Sequence, residues 1–305
     1  MKTISLALGG GGTKGFAHIG VIRQLEKLGY QIKAIAGTSA GGIVGALYAY
    51  GFSIDEIINF SKKLKYDDLF NRSHNDAPSL LGLGGLYKQI ENLLGDTKIE
   101  DLKLKFAAIS VDTITGKEII LDCGSVVNAV KATSAVPGIF PALRIKDLNL
   151  VDGGVLDPVP VLTARWLMPD LPVFAVGLTP PMDEWPNVPR LDIPPYIPIP
   201  HFMVDQLNQF RLGQAMHVFI DSMEIMVNTV AELRLKLEKP DVILRPNVHK
   251  FTMFDKVDPD EMIRLGEQSV LESIDKIDSV FRVSSKMNRW FKSAANPGIL
   301  VSELN

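Results

Sequence analysis

Ile32-Lys33-Ala34-Ile35-Ala36-Gly37-Thr38-Ser39-Ala40-Gly41-Gly42-Ile43-Val44 is the stretch on which the reading of the fold turns. Ile32 to Ala36 is an apolar run of strand length, and Ile43 to Tyr50 is a second apolar run. Between them lies Gly37-Thr38-Ser39-Ala40-Gly41, a Gly-x-Ser-x-Gly turn. Strand, turn and helix in that order spell a nucleophile elbow. Glycines flank the serine because the turn leaves no room for a Cβ, and the hydroxyl projects from a strained corner. The helix that follows aims its free N–H groups at the same corner, where negative charge develops during acyl transfer.

Working outward, Thr3 to Leu8 reads as a buried first strand that ends in the glycines Gly9 to Gly12. Gly15 to Leu28 reads as a helix with Ile19, Ile22, Leu25 and Leu28 on one face and Gly29 as its stop. Another helix starts at Ser53, where Ser53 and Glu56 make a capping-box pattern. Asn71 to Gly85 is polar and then glycine-rich, and reads as a mobile surface loop. Lys105 to Val111 and Glu118 to Leu121 read as strands joined through Thr115-Gly116, Ser125 to Ala135 as a short helix, and Leu148 to Val151 and Pro172 to Leu178 as further strands. Strands alternating with helices predict an α/β protein with a mostly parallel sheet between helical layers.

Prolines crowd the segment from Pro180 to Pro200, which excludes a helix or a central strand there. Phe202 to Leu237 then reads as a long helix, bent near Gly213 and carrying Met203, Met216, Met223 and Met226. The favoured reading makes these methionines core residues of a helix covering the sheet. The alternative is an adaptable acyl groove, with residues 179–200 as a lid. Near the C-terminus, Phe281, Met287, Trp290 and Phe291 interleave with Arg282, Lys286, Arg289 and Lys292. That pattern is expected to pack on its own domain rather than lie on an anionic bilayer. No linker demands two independent domains: residues 1–178 read as a catalytic core, and residues 179–305 as elements that complete the same domain.

Hydrophobic residues make up 46% of the 305 and charged residues 22%, the balance of a globular chain with a sizeable core. A net charge of -3 gives no footprint for nucleic acid. Cys123 is the single cysteine, so no intrachain disulfide forms and a reducing compartment fits. Gly9 to Gly12 interrupt the apolar N-terminal stretch at once, unlike a signal peptide, and no apolar run approaches the ~18 residues of a membrane span. These features predict a cytoplasmic protein whose membrane contact, if it has one, is peripheral and at the inner face. Oligomeric state is not legible.

Two chemistries compete for the glycine loop. Gly10-x-Gly12-x-x-Gly15 is the dinucleotide fingerprint in outline, but the second strand ends in Ala36 and Gly37 where that fingerprint needs an acid. The other reading is an oxyanion hole built from free glycine N–H groups. A base for Ser39 is harder to find. Of His18, His74, His201, His217 and His249, His18 precedes the serine and His217 lies inside the long helix, so structural or surface roles suit both. Asp152 ends a strand and precedes Gly153-Gly154. It is either a turn cap or, with its pKa raised by burial, a partner for Ser39.

Gly10-Gly11-Gly12-Thr13-Lys14-Gly15, Gly37-Thr38-Ser39-Ala40-Gly41 and Asp152-Gly153-Gly154 together resemble the three motifs of patatin-like phospholipases. Ala135-Val136-Pro137-Gly138-Ile139-Phe140-Pro141 resembles a stretch typical of bacterial members. The resemblance covers about Ile4 to Val161. It implies a three-layer α/β/α fold and hydrolysis of lipid acyl esters by a Ser–Asp dyad, with no metal and no organic cofactor. By position, Ser39 is then the nucleophile, Asp152 the base, and the N–H groups of Gly10, Gly11 and Gly12 the oxyanion hole. Lys14 falls where the family has a basic residue, and Gly15, Gly37, Gly41, Gly153 and Gly154 support the motifs. The chain departs from the pattern at Asp157-Pro158, where many members carry asparagine, which leaves Asp157 as an alternative acid. A regulatory or scaffold protein with little turnover is the competing class of function.

Overall fold

The computed structural model describes residues 2–64, 79, 82–181, 204–282 and 298–304, with side chains undescribed for 204–217 and 303–304. The mobile-loop expectation for Asn71 to Gly85 falls mostly outside these residues, as do nearly all of the proline-rich segment and the basic aromatic stretch beyond Arg282.

Five strands build the parallel part of the sheet: β1 (Lys2–Leu8), β2 (Tyr30–Thr38), β3 (Lys105–Asp112), β7 (Val173–Val176) and β8 (Val242–Leu244). Neighbours run in the order β3-β2-β1-β7-β8. Three strands pair antiparallel: β4 (Lys117–Leu121) on β3, β6 (Leu148–Asp152) on β3, and β5 (Leu143–Ile145) on β6. A short β9 (Ile299–Leu300) lies parallel to β4. The sheet is therefore mixed but mostly parallel.

Period-two alternation sends side chains to two separate cores. Leu6, Leu8 and Ile35 face one way, under α1 (Phe16–Lys27), α2 (Ala40–Tyr50), α3 (Ile54–Lys63), α4 (Gly84–Leu94) and α5 (Val126–Thr133). Ala7, Ala34, Ala36 and Ala107 face the other way. Their small side chains let α6 (Val161–Leu167) and α7 (Val204–Glu238) approach that face through Ala164, Ala231 and Leu235. Helices α8 (Pro259–Glu272) and α9 (Ile274–Val280) follow, and Ile263 of α8 and Ile277 of α9 join the first core. These two helices carry no signal that the sequence reading used. The Ser53–Glu56 capping box is present in both directions, at 2.8 Å and 3.3 Å.

The register along β3 positions the site. Thr38 of β2 pairs with Ile109, and the next residue, Ser110, pairs with Asp152 of β6. Strand β4 occupies the opposite edge of β3 over the same residues, so β2 and β6 share one edge. They run toward each other along it, one parallel to β3 and one antiparallel, and both stop where they meet. Ser39 leaves from the end of one and Gly153 from the end of the other.

Candidate active site

Ser39 has φ 53° and ψ -123°, a conformation that L-residues rarely adopt and that an elbow imposes. Its N–H donates to Thr133 Oγ1 at 2.9 Å, which fixes the corner from the side of α5. Gly37 sits just before the corner and packs against Gly41, whose own Cα lies against the Leu8 carbonyl at the end of β1. Helix α2 starts at Ala40, and its first-turn N–H groups have no acceptor within the helix.

Asp152 is 5% exposed. Its N–H donates to the Ala135 carbonyl at 2.9 Å and its Oδ1 accepts from Gly154 N–H at 2.7 Å, while the Ser39 side chain lies near enough to the carboxyl to influence its charge. Burial pushes its pKa up to about 6, against the opposing pull of Ser39 and the Gly154 N–H. Gly153 has to be glycine, because a Cβ there would come within 2.5 Å of the Ile109 carbonyl on β3.

The glycine loop arches over the same corner, with a Cβ at Gly10 only 3.3 Å from that of Ser39. Gly12 has φ 59° and touches the Met253 backbone, while Gly15 packs on Ala40. Gly10 needs a correction as an anion donor: its N–H is already donated to the Pro158 carbonyl at 3.0 Å. The N–H groups of Gly11 and Gly12 make no hydrogen bond among the described residues, and both glycines line the cavity. His18 is fully buried beneath the loop, with Nε2 2.7 Å from the Gly9 carbonyl. Burial pushes its pKa down to about 4, so the ring is neutral and Nε2–H is the donor. Its role is to hold the loop, in keeping with a structural histidine.

Lys14 is buried and pairs with Glu224 of α7 at 2.9 Å. Asp157 is not at the serine. Its Oδ2 accepts from Arg234 at 3.0 Å, and the same guanidinium binds Glu118 at 3.0 Å and Glu238 at 2.6 Å. Burial and the nearby Glu118 carboxylate raise the Asp157 pKa well above the ordinary range. The Asp157-Pro158 backbone has a use that sequence reasoning missed: the Asp157 carbonyl accepts from Thr38 Oγ1 at 2.8 Å, and the Pro158 carbonyl accepts from Gly10. Backbone carbonyls thus tie the three glycine-containing motifs together, and carbonyls leave no mark in sequence.

Ser39, Asp152 and the glycine loop open onto a cavity of about 160 Å³. Ile43, Val44, Leu83, Leu86, Val136 and Phe140 supply its apolar wall. Met223 of α7 also lines it and packs against the first core, whereas Met226 is 58% exposed; the side chains of Met203 and Met216 lie outside the described residues. Among the described residues, no helix is long and apolar enough to cross a membrane.

A mostly parallel mixed sheet, an elbow serine at a strand end and a glycine loop beside it define an α/β fold of the nucleophile-elbow class. The model of the patatin-like phospholipase family matches residues 6–165, just over half of the sequence, and the chain belongs to that family. An uncharacterised NTE family protein of Mycobacterium bovis is 33% identical over 192 residues, which is 61% of this chain and 53% of the relative. Lysophospholipase NTE1 of Pyricularia oryzae is 28% identical over 294 residues, which is 90% of this chain and 19% of the relative. The chain thus spans about half the length of the mycobacterial relative and a much smaller share of the fungal one. In fold it is similar to VipD from Legionella pneumophila, with a TM-score of 0.55 at 13% identity, over 91% of this chain and 67% of that one.

Proposed function

We propose that the protein hydrolyses acyl esters of lipids through a Ser39–Asp152 dyad. The observation that carries this reading is that the elbow serine and a buried carboxyl with a pKa of about 6 line the same apolar cavity. A base with that pKa is largely ionised at neutral pH yet still basic enough to accept a proton. Ser39 Oγ attacks the ester carbonyl and Asp152 takes its proton. The oxyanion is held by the N–H groups of Gly11 and Gly12. Asp152 then returns the proton to the departing alcohol, leaving an acyl-serine. Water, deprotonated by Asp152, attacks the acyl carbonyl; the fatty acid leaves and Ser39 regains its proton. The names of the fungal relatives make lysophospholipids a substrate class to test.

Hydrolysis of p-nitrophenyl esters across acyl lengths, by wild type and Ser39→Ala, tests the proposal. Activity that disappears in the variant is the expected result. Absence of hydrolysis and of fluorophosphonate labelling in the wild type would favour a scaffold with little turnover.

A further inference from the structure

Among the described residues, three charged side chains line the cavity that holds Ser39: Asp152, Lys14 and Glu224. Lys14 belongs to the glycine loop. Its N–H donates to the Gly11 carbonyl at 3.3 Å, and the next residue, Gly15, packs on Ala40 beside the serine. Glu224 belongs to α7, where its neighbours fix its place: Met223 packs against the first core, and Val227 approaches Gly154 of the Asp152 turn. The ion pair between them, Nζ to Oε1 at 2.9 Å, therefore joins the glycine loop to a helix from a distant part of the chain.

The two members are unequal. The Lys14 side chain is 3% exposed and that of Glu224 is 22% exposed, so the carboxylate is the more accessible of the two. An ammonium without a partner in an apolar cavity would draw an anion in, because charges interact strongly where water is scarce. Here Glu224 already satisfies that attraction. An anionic ligand could reach Lys14 only by displacing a carboxylate tethered to the chain. With the Asp152 pKa at about 6, it would face a second carboxylate above that pH. The apolar wall of Ile43, Leu83, Leu86, Val136 and Phe140 suits an acyl chain, which leaves the alcohol half of an ester to lie against the charged side.

We propose that Glu224 is a specificity-determining residue: by neutralising Lys14, it makes the site reject esters whose alcohol half is negatively charged. The inference rests on the hydrolase reading above and deepens it. An ester rejected in this way loses by repulsion and by the lack of a free cation, not by poor fit. The ion pair reads the charge of the alcohol rather than its size. Removing Glu224 then converts a site for uncharged alcohols into one that accepts anions.

The test measures kcat/KM at pH 8 for the octanoyl esters of 4-hydroxybenzamide and 4-hydroxybenzoate, using the purified full chain. The two esters are close in size, and the second carries a carboxylate on its alcohol half. Their ratio is compared between proteins, so the intrinsic reactivity of each ester cancels. Glu224→Gln is expected to raise the relative rate of the anionic ester by about tenfold, and added salt should shrink the gain. Lys14→Met, which leaves Glu224 without its counter-charge, is expected to shift the ratio the other way. In the double variant, Lys14→Met with Glu224→Gln, the gain disappears. A ratio that Glu224→Gln leaves unchanged would overturn the proposal, since loss of a merely structural ion pair slows both esters alike. So would a gain that persists in the double variant. If Glu224→Gln does not fold, Lys14→Met decides, and an unchanged ratio there refutes the inference. A wild type that cleaves neither ester and takes up no fluorophosphonate instead overturns the hydrolase reading, and this inference with it.

Discussion

Asp152→Asn is expected to remove activity and to raise stability, by an amount that grows with pH. Folding moves the Asp152 pKa from its ordinary 3.8 to about 6, mainly because the carboxyl is buried. A raised pKa means that the folded state holds the proton more tightly than the unfolded chain does. Its contribution is fully present below pH 3.8, is lost as the pH climbs through 6, and is absent above that. The loss amounts to about 3 kcal/mol at pH 8. Asparagine stands in for the protonated carboxyl at every pH: its Oδ1 accepts from Gly154, and its Nδ2 donates to Ser39. The variant is therefore expected to gain about 3 kcal/mol over wild type between pH 4 and pH 8. Urea unfolding of both proteins at the two pH values, at constant ionic strength, measures this. A stability difference that is the same at pH 4 and pH 8 would refute the argument that Asp152 is ionised at the expense of the fold.

Other consequences are open to measurement. For wild type, kcat/KM on a soluble ester is expected to fall tenfold per pH unit below a midpoint near 6, because the protonated Asp152 cannot accept a proton; a flat profile down to pH 4.5 would exclude it as the base. Ser39→Gly is expected to be about 1 kcal/mol more stable than Ser39→Ala in chemical denaturation, since glycine tolerates the backbone angles of the elbow and alanine does not. Arg234→Met leaves Asp157, Glu118 and Glu238 without their shared counter-charge. It should cost about 3–5 kcal/mol at neutral pH, and less in acid, where the carboxylates take up protons; an equal loss at both pH values would point to packing instead.

What the sequence revealed and what it concealed separate along a physical line. The elbow, the capping box at Ser53 and the strands β1 to β3 are local devices, written in consecutive residues. So are the glycine loop and Asp152-Gly153-Gly154. The engaged N–H of Gly10 is not local, because its acceptor is a carbonyl at Pro158. Arg234 gathers carboxylates from positions 118, 157 and 238, a set with no periodic trace. Helix α8 was missed although it has a good N-cap at Asp258 and a proline in its first turn. Both were readable signals.

The head-on approach of β2 and β6 along one edge of β3 has a consequence for the newly made chain. Ser39 and Asp152 lie more than a third of the sequence apart, and only the edge of β3 between Ile109 and Ser110 brings them together. During synthesis the serine emerges long before its acid, and contacts of such long range form late. Until β6 docks, the elbow serine lacks the carboxyl proposed as its base, so on that mechanism a half-folded chain is inactive. Under the proposed mechanism, hydrolytic competence is thereby tied to completion of the sheet.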